Sequence, residues 1–392
     1  MSESACPDLS EKTILQVIPD LAAGGAERTT VEMAEAITGA GGRALVASSG
    51  GRLEGALEHA GGELIRLDAA SKNPLVIRKN ARLLEALVAE HEVDLIHARS
   101  RAPGWSAYIA AQRTETPFVT TYHGAYSGRS GLKKRYNSVM ARGDLVIANS
   151  EWTAAHVMEI HETPRDKIVT IPRGVDLQAF DPQNVSERRQ QDLRIAWGVR
   201  ADDQRVLLVL PGRLTSWKGQ SIAIDAVGAL DSTERAMLHL VLTGDAQGRE
   251  KYVTDLEDKI IAHKLGGTVT IAGHTNDMPA AYALSDIVLA PSTRPEAFGR
   301  VAAEASAMAK PVIVADHGGQ RETVIEGETG TRAEPGSVAA LTACIRTLIH
   351  LRPEARDAMG HAGQAYIREN YSKKQLQTAT LEVYARLLLN KA

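Results

Sequence analysis

Residues 291–319 read P-S-T-R-P-E-A-F-G-R-V-A-A-E-A-S-A-M-A-K-P-V-I-V-A-D-H-G-G, and this stretch decides the fold. Just before it, Asp286-Ile287-Val288-Leu289-Ala290 is a short, mostly apolar run, and Lys310-Pro311-Val312-Ile313-Val314-Ala315 is a second one. Both read as strands buried on two faces in a parallel sheet. Between them, Arg300 to Met308 is rich in Ala and other good helix formers. Strand, loop, helix, strand is the unit of a right-handed crossover. Ligands of open parallel sheets bind beyond the carboxyl ends of the strands, so chemistry belongs in the loop before the helix. N–H groups of the Phe298-Gly299-Arg300 region are free to donate there, and Gly299 lets a ligand approach the backbone. Glu296 stands in the loop and Glu304 about two turns further on. Two carboxylates so spaced can each accept from a pair of sugar hydroxyls. A bare E-x7-E, however, arises easily as a loop charge and a solvated helix face.

The whole string E-A-F-G-R-V-A-A-E-A, followed by K-P-V-I-V and G-G, resembles the donor-sugar site of the family-4 retaining glycosyltransferases. That resemblance implies an α/β fold of GT-B architecture: two Rossmann-like doubly wound parallel-sheet domains facing a central cleft. It implies that Glu296 contacts the transferred sugar, that the backbone of Phe298, Gly299, Arg300 and Val301 binds sugar hydroxyls, and that Glu304 binds the ribose of the nucleotide.

The totals bound the class. A chain of 392 residues is long enough for two domains. With 44% hydrophobic and 24% charged residues it has a globular profile, and a net charge of −3 excludes a general nucleic-acid binder. Only Cys6 and Cys344 are present, which argues against a disulfide framework and for the cytoplasm. The polar start, with Glu3, Asp8 and Glu11, is unlike a secretory signal, and no apolar run reaches the roughly 20 residues of a membrane span. Any membrane contact is therefore expected to be peripheral, at the inner face of the cytoplasmic membrane.

In the first half, Thr13 to Ile18 reads as a strand, followed by a loop with Gly24-Gly25 and a helix from about Arg28 to Gly39. This is the layout of a phosphate-binding turn. By the resemblance, Gly24 and Gly25 face the donor diphosphate. Strands are expected at 44–48, 64–67, 94–98, 118–122, 144–148 and 168–171, and a helix over 73–91 on the spacing of Ile77, Leu83, Leu84, Leu87 and Val88. Alternating strands and helices argue for a parallel, doubly wound sheet. Arg99 and Arg101 fall after a strand, at the rim where an acceptor would enter. His123 ends another strand and precedes Gly124. A lone histidine is more often structural, but this position and the resemblance place it against the donor sugar and its phosphate. Residues 128–142 form the most basic patch, with Arg129, Lys133, Lys134, Arg135 and Arg142 and an apolar recurrence at Leu132, Tyr136, Val139 and Met140. It reads either as a solvated helix with one core face or as a basic surface for anionic lipid head groups or an anionic glycolipid.

The domain boundary is placed near residue 185: an acceptor domain over 1–185, a donor domain over 186–371, and a helix over about 372–392 that the resemblance allows to cross back. Residues 183–203 are polar, as a connection would be. Arg173 stands before Gly174-Val175-Asp176 where the family commonly has Asn, so no role is borrowed for it. Val206 to Leu210 reads as the first strand of the second domain and leads into P-G-R-L-T-S-W-K-G. Arg213 and Lys218 in this loop match the family's diphosphate clamp, and two cations at a helix start can neutralise a leaving diphosphate. Strands are expected at 238–243 and 268–272; Gly273-His274, after the latter, lies near the base in the family.

The expected activity is thus hexosyl transfer, with retention, from a GDP- or UDP-linked sugar, mannose among the candidates, to a hydroxyl of a glycolipid or polysaccharide precursor in lipopolysaccharide or cell-envelope synthesis. The catalytic candidates are His123, Arg213, Lys218 and Glu296. There is no D-x-D-type motif, so no metal and no cofactor is expected. A nucleotide-sugar epimerase on the same fold and a non-catalytic nucleotide-sugar binder remain the alternatives.

Overall fold

Among the described residues the apolar runs become thirteen parallel strands in two sheets. The structure, a computed structural model, describes residues 7–22, 24–124, 126 and 131–389. It divides into two compact units, Met1–Arg173 with Lys373–Ala392, and Gly174–Ser372. The first break therefore lies at Arg173, not near 185. The polar connection read over 183–203 lies inside the second unit and contains a helix, Glu187–Ala196. Ser186 caps that helix by accepting from Arg189 N, and Arg189 is clamped to Asp277 by bonds of 2.7 and 2.6 Å.

The first unit holds β1 (Thr13–Val17), β2 (Arg43–Ser48), β3 (Glu63–Arg66), β4 (Leu95–Ala98), β5 (Phe118–Tyr122), β6 (Leu145–Ala148) and β7 (Ile168–Thr170), in the order β3-β2-β1-β4-β5-β6-β7. Alternate residues serve opposite faces. Ile14 and Ile18 join a core with the Gly25–Gly39 helix (Met33, Ile37) and the Lys373–Leu389 helix (Leu376, Leu381, Tyr384). Leu15 and Val17 join another with Leu84, Ala107 and Ala110 from the helices Pro74–Glu90 and Arg101–Thr114. Leu83, expected in the apolar stripe of the Pro74–Glu90 helix, is 43% exposed.

The second unit holds β8 (Val206–Pro211), β9 (Leu238–Thr243), β10 (Val269–Gly273), β11 (Ile287–Ala290), β12 (Val312–Ala315) and β13 (Gly330–Ala333), in the order β10-β9-β8-β11-β12-β13. Val206, Leu208, Leu210, Ile287 and Leu289 pack on one face, while Leu207 and Val209, and Val288 and Ala290, pack on the other. Each sheet is covered on both faces, as near-continuous apolar strands require. Each is doubly wound: strand order reverses between β1 and β4 in the first unit and between β8 and β11 in the second. The crevices beyond these two reversals are the binding positions of such sheets.

Candidate active site

The reversal in the second unit brings together the two loops that the sequence marks. β11 pairs with β8 through Ile287 with Leu208 and Val288 with Val209, so both strands deliver their carboxyl ends side by side. The loop after β8 is tied to the loop after β11 by Thr293 N donating to Trp217 O at 2.7 Å. Gly219, at φ +85°, permits the approach: a Cβ there would lie 2.3 Å from Pro291 O. The loop after β12 closes the third side, with Gly319 N donating to Glu296 O at 2.7 Å and His317 Nε2 lying 2.8 Å from Ser292 O.

Within this frame Lys218 Nζ donates to Glu296 Oε1 at 2.7 Å, both side chains being mostly buried. Ser292 Oγ donates to the same Oε1, and the Lys218 ammonium stands 4.6 Å from the centre of the Trp217 ring. Arg213 is exposed; its carbonyl accepts from Gln220 Nε2 at 3.0 Å, which pins the loop.

Glu304 is 9% exposed, on the Arg300–Ala307 helix. Its Oε1 accepts from Arg300 Nε at 3.1 Å and its Oε2 from the Tyr282 hydroxyl at 3.3 Å. Burial, followed by the nearby Glu304 carboxylate, pushes the Tyr282 hydroxyl well above its ordinary value, so it stays protonated and donates. Gly299 caps this helix at φ +90°. Phe298 is 4% exposed with its ring on Tyr371, so it offers the crevice its backbone and not its side chain. Val301 is half-buried. Gly273 lies at the end of β10, where its carbonyl accepts from Gly244 N at 2.7 Å and Thr243 Oγ1 at 2.9 Å. His274 is exposed beside Asn276.

The first unit presents its own group. Gly24 caps the Gly25–Gly39 helix directly beyond β1. His123 follows β5, and its Nδ1 lies 3.1 Å from Arg173 Nη2. A guanidinium only donates, so Nδ1 accepts and the proton of the neutral ring sits on Nε2. Burial, then Arg173, then Arg99 hold His123 well below the ordinary histidine value. Arg173, assigned no role from the sequence, is thus the residue that fixes the His123 tautomer.

Arg99 is not at a rim. It is 2% exposed, and its Nε and Nη2 donate to Gln16 Oε1 at 3.0 and 2.6 Å. Arg101 does face the end of β4, where Nη1 donates to Asn137 Oδ1 at 2.9 Å and the guanidinium stacks 4.1 Å from the centre of the Tyr126 ring.

The basic stretch also differs from its expectation. Among the described residues the helix spans Gly131–Asn137 and passes into a 3-10 turn over Ser138–Ala141. Val139 and Met140 are buried, but Leu132 is 85% exposed instead of facing the core. Lys133 and Arg135 are exposed beside it, and Lys134 lies 3.6 Å from Glu162. Arg142 reaches back over Trp105 and Tyr108. Arg129 lies outside the described residues.

Sequence reading missed the buried polar layer beneath these groups. His97 on β4 bonds Tyr384 through Nδ1 at 2.6 Å and Thr121 through Nε2 at 2.7 Å. Two-residue alternation is the signal that could have found it: 97 and 99 share one face of the chain leaving β4. Among the described residues no helix is long and apolar enough to cross a membrane.

Comparisons with known proteins agree with this geometry. The sequence model for glycosyl transferases group 1 matches residues 193–366, and that for glycosyltransferase family 4 matches residues 23–179. A glycosyltransferase from Rickettsia africae has the same architecture, with a TM-score of 0.87 and 33% identity over 96% of this chain and 98% of that one. The Anabaena protein HepE in complex with UDP-glucose superposes with a TM-score of 0.81 at 26% identity, covering 95% of this chain and 99% of that chain. The D-inositol 3-phosphate glycosyltransferase of Xylanimonas cellulosilytica is 28% identical over 77% of this chain and 74% of its own length.

Proposed function

This chain belongs to the family-4, group 1 glycosyltransferases of GT-B fold, and from that premise we propose that it transfers a hexose, with retention and without a metal ion, from a UDP-linked donor to a hydroxyl of a glycan or glycolipid precursor. The observation that carries the reading is the Lys218–Glu296 pair in the β8–β11 crevice, with Glu304 two turns away on the helix that Gly299 caps. Glu304 is suited to the ribose hydroxyls, and Tyr282 and Arg300 orient it. The N–H groups from Phe298 to Val301 are suited to hydroxyls of the transferred sugar. Lys218, released from Glu296 as the donor enters, neutralises charge growing on the departing diphosphate, and exposed Arg213 adds a second cation. Two fixed cations take the part that a divalent ion plays elsewhere. The departing phosphate takes the acceptor proton on the same face of the sugar, with His123 positioning the donor.

UDP is favoured over GDP because UDP and UDP-glucose are the ligands of the HepE structures at 25–26% identity; the reading of mannose has no comparable support. The exposed Leu132, with Lys133 and Arg135 beside it, suits an acceptor held at an anionic lipid surface. The test is UDP release in EDTA from a panel of UDP- and GDP-sugars, with lipid extract or soluble glycan as acceptor. Turnover with a UDP-hexose supports the proposal. Turnover that appears only on adding a divalent ion, or only with GDP-sugars, contradicts it.

A further inference from the structure

A small cavity inside the first unit, of about 10 Å³, is lined by Arg99, His123, Asn149, Arg173, Thr29 and Thr380 among others. That is the room of one water-sized sphere. Its walls are unusual in what they lack. Asn149 is 2% exposed and its Nδ2 makes no hydrogen bond within the protein. The amide orientation is fixed by its neighbours: Ser150 Oγ donates to Thr153 Oγ1 at 2.9 Å, and Thr153 Oγ1 donates onward to Asn149 Oδ1 at 2.9 Å. The NH2 group is thereby left as the free end. His123 Nε2 is likewise buried without a bond, and it carries the proton because Nδ1 accepts from Arg173. Both orphans are donors.

The charge is equally one-sided. Arg99 donates to a neutral amide, Gln16, and bonds the Tyr384 hydroxyl, and the Glu32 carboxylate favours its charge electrostatically. The hydroxyl protons nearby are committed elsewhere: Thr29 donates to Gly25 O and Thr380 to Leu376 O. A buried guanidinium whose hydrogen bonds go to a neutral amide and a hydroxyl carries a large desolvation cost, and buried unpaired donors add to it. An acceptor carrying negative charge, and no larger than one atom, removes both.

We propose that this cavity binds a monatomic inorganic anion, chloride in ordinary buffers, held by Asn149 Nδ2 and His123 Nε2 in the positive field of Arg99. The anion offsets the cationic layer and holds His123 in the orientation that Arg173 begins. Phosphate and sulfate are too large for the space. The unfolding midpoint is read with no sugar donor present, so the failure of this site and the failure of the transferase reading are separate results.

The experiment uses the full chain, exchanged into gluconate and titrated with chloride or bromide at constant ionic strength while the unfolding midpoint is followed. The midpoint is expected to rise saturably with either halide and to stay unchanged with sulfate. Asn149→Asp supplies its own negative charge, and the halide shift is expected to vanish in it. A halide effect that persists undiminished in Asn149→Asp is a bulk solvent effect and overturns the site, as does an equal midpoint in chloride and gluconate. Should that variant fail to fold, crystals of the unaltered protein soaked in bromide decide. An anomalous peak beside Asn149 Nδ2 and His123 Nε2 is the expected result, and its absence overturns the proposal.

Discussion

Lys218 Nζ and Glu296 Oε1 meet at 2.7 Å although 78 positions separate them in the chain, and both side chains are mostly withdrawn from water. Parallel pairing of β8 with β11 makes the contact possible, since each residue sits in the loop that leaves the carboxyl end of its strand.

Breaking this pair should affect chemistry and folding alike, and the two partners separate them. Lys218→Ala removes the cation nearest the departing diphosphate, and kcat is expected to fall by about 10²–10³-fold. It also strands a mostly buried carboxylate, for which a stability loss on the order of 3 kcal/mol is expected. Glu296→Gln keeps an acceptor for Lys218, so its stability loss should be about 1 kcal/mol while its kcat still falls. Steady-state kinetics together with denaturant titration separate the two. A Lys218→Ala protein with unchanged kcat would exclude the clamp.

Gly299 is fixed by two constraints at once. Its φ of +90° disfavours any side chain, and a Cβ would fall 2.3 Å from Gln320 Cβ and 2.7 Å from Gln320 Cα. Gly336 shares the positive φ, at +79°, with nothing within 4 Å of a Cβ. Gly336→Ala should cost about 1–2 kcal/mol. Gly299→Ala should cost clearly more and should also weaken donor binding, because the helix N–H groups shift. Equal effects of the two substitutions on unfolding would refute the steric part.

Tyr384 bonds the Lys373–Leu389 helix to His97 inside the first unit. Tyr384→Phe leaves the ring packing intact and strands His97 Nδ1, so a loss of about 1–3 kcal/mol is expected. Urea unfolding of the two proteins checks it.

Acidification from neutral pH should destabilise the protein. His97 and His123 are both held well below 6.5, first by burial and then by neighbouring positive groups. Below about pH 6.5 the unfolded chain takes up protons at these histidines and the folded chain does not. Stability therefore rises with pH in this window and falls on acidification, by up to about 1.4 kcal/mol per pH unit for each histidine. Glu234, pushed down to about 2 by its bond to Arg346 first, gives up its contribution only at lower pH. Denaturant titrations near about pH 7, 6 and 5 measure the slope, and a flat profile would contradict neutral buried histidines.

The exposed basic helix makes a separate claim. Reversing Lys133 and Arg135 to Glu should reduce co-sedimentation with anionic vesicles and leave UDP binding unchanged. Equal sedimentation of both proteins would remove the lipid-surface reading.

Much of this site was legible because short-range pattern and long-range position coincide in a parallel sheet. The run from Ile287 to Ala290, the alanine-rich helix and the run from Val312 to Ala315 each declare their type locally, and the sheet rule places Glu296 between them. The polar helix Glu187–Ala196 was not legible as more than a connection. It shows few apolar residues, and its Arg189–Asp277 clamp joins segments 88 positions apart; only the Ser186 cap offered a local signal. The stripe through Leu132, Tyr136, Val139 and Met140 misled because the backbone changes from α to 3-10 geometry after Asn137, which turns Leu132 outward. Arg99 reads as a rim residue because charged residues are rarely buried; the partners that accommodate it, Gln16 and Tyr384, come from the opposite ends of the chain.

The central claim is that the β8–β11 crevice is a nucleoside diphosphate site, and calorimetric titration of the purified protein with UDP and GDP in EDTA tests it most directly. The account predicts one-to-one binding of UDP, weaker binding of GDP, and at least a tenfold loss of UDP affinity in Glu304→Ala. Binding of neither nucleotide, or UDP binding that is indifferent to Glu304, would contradict it.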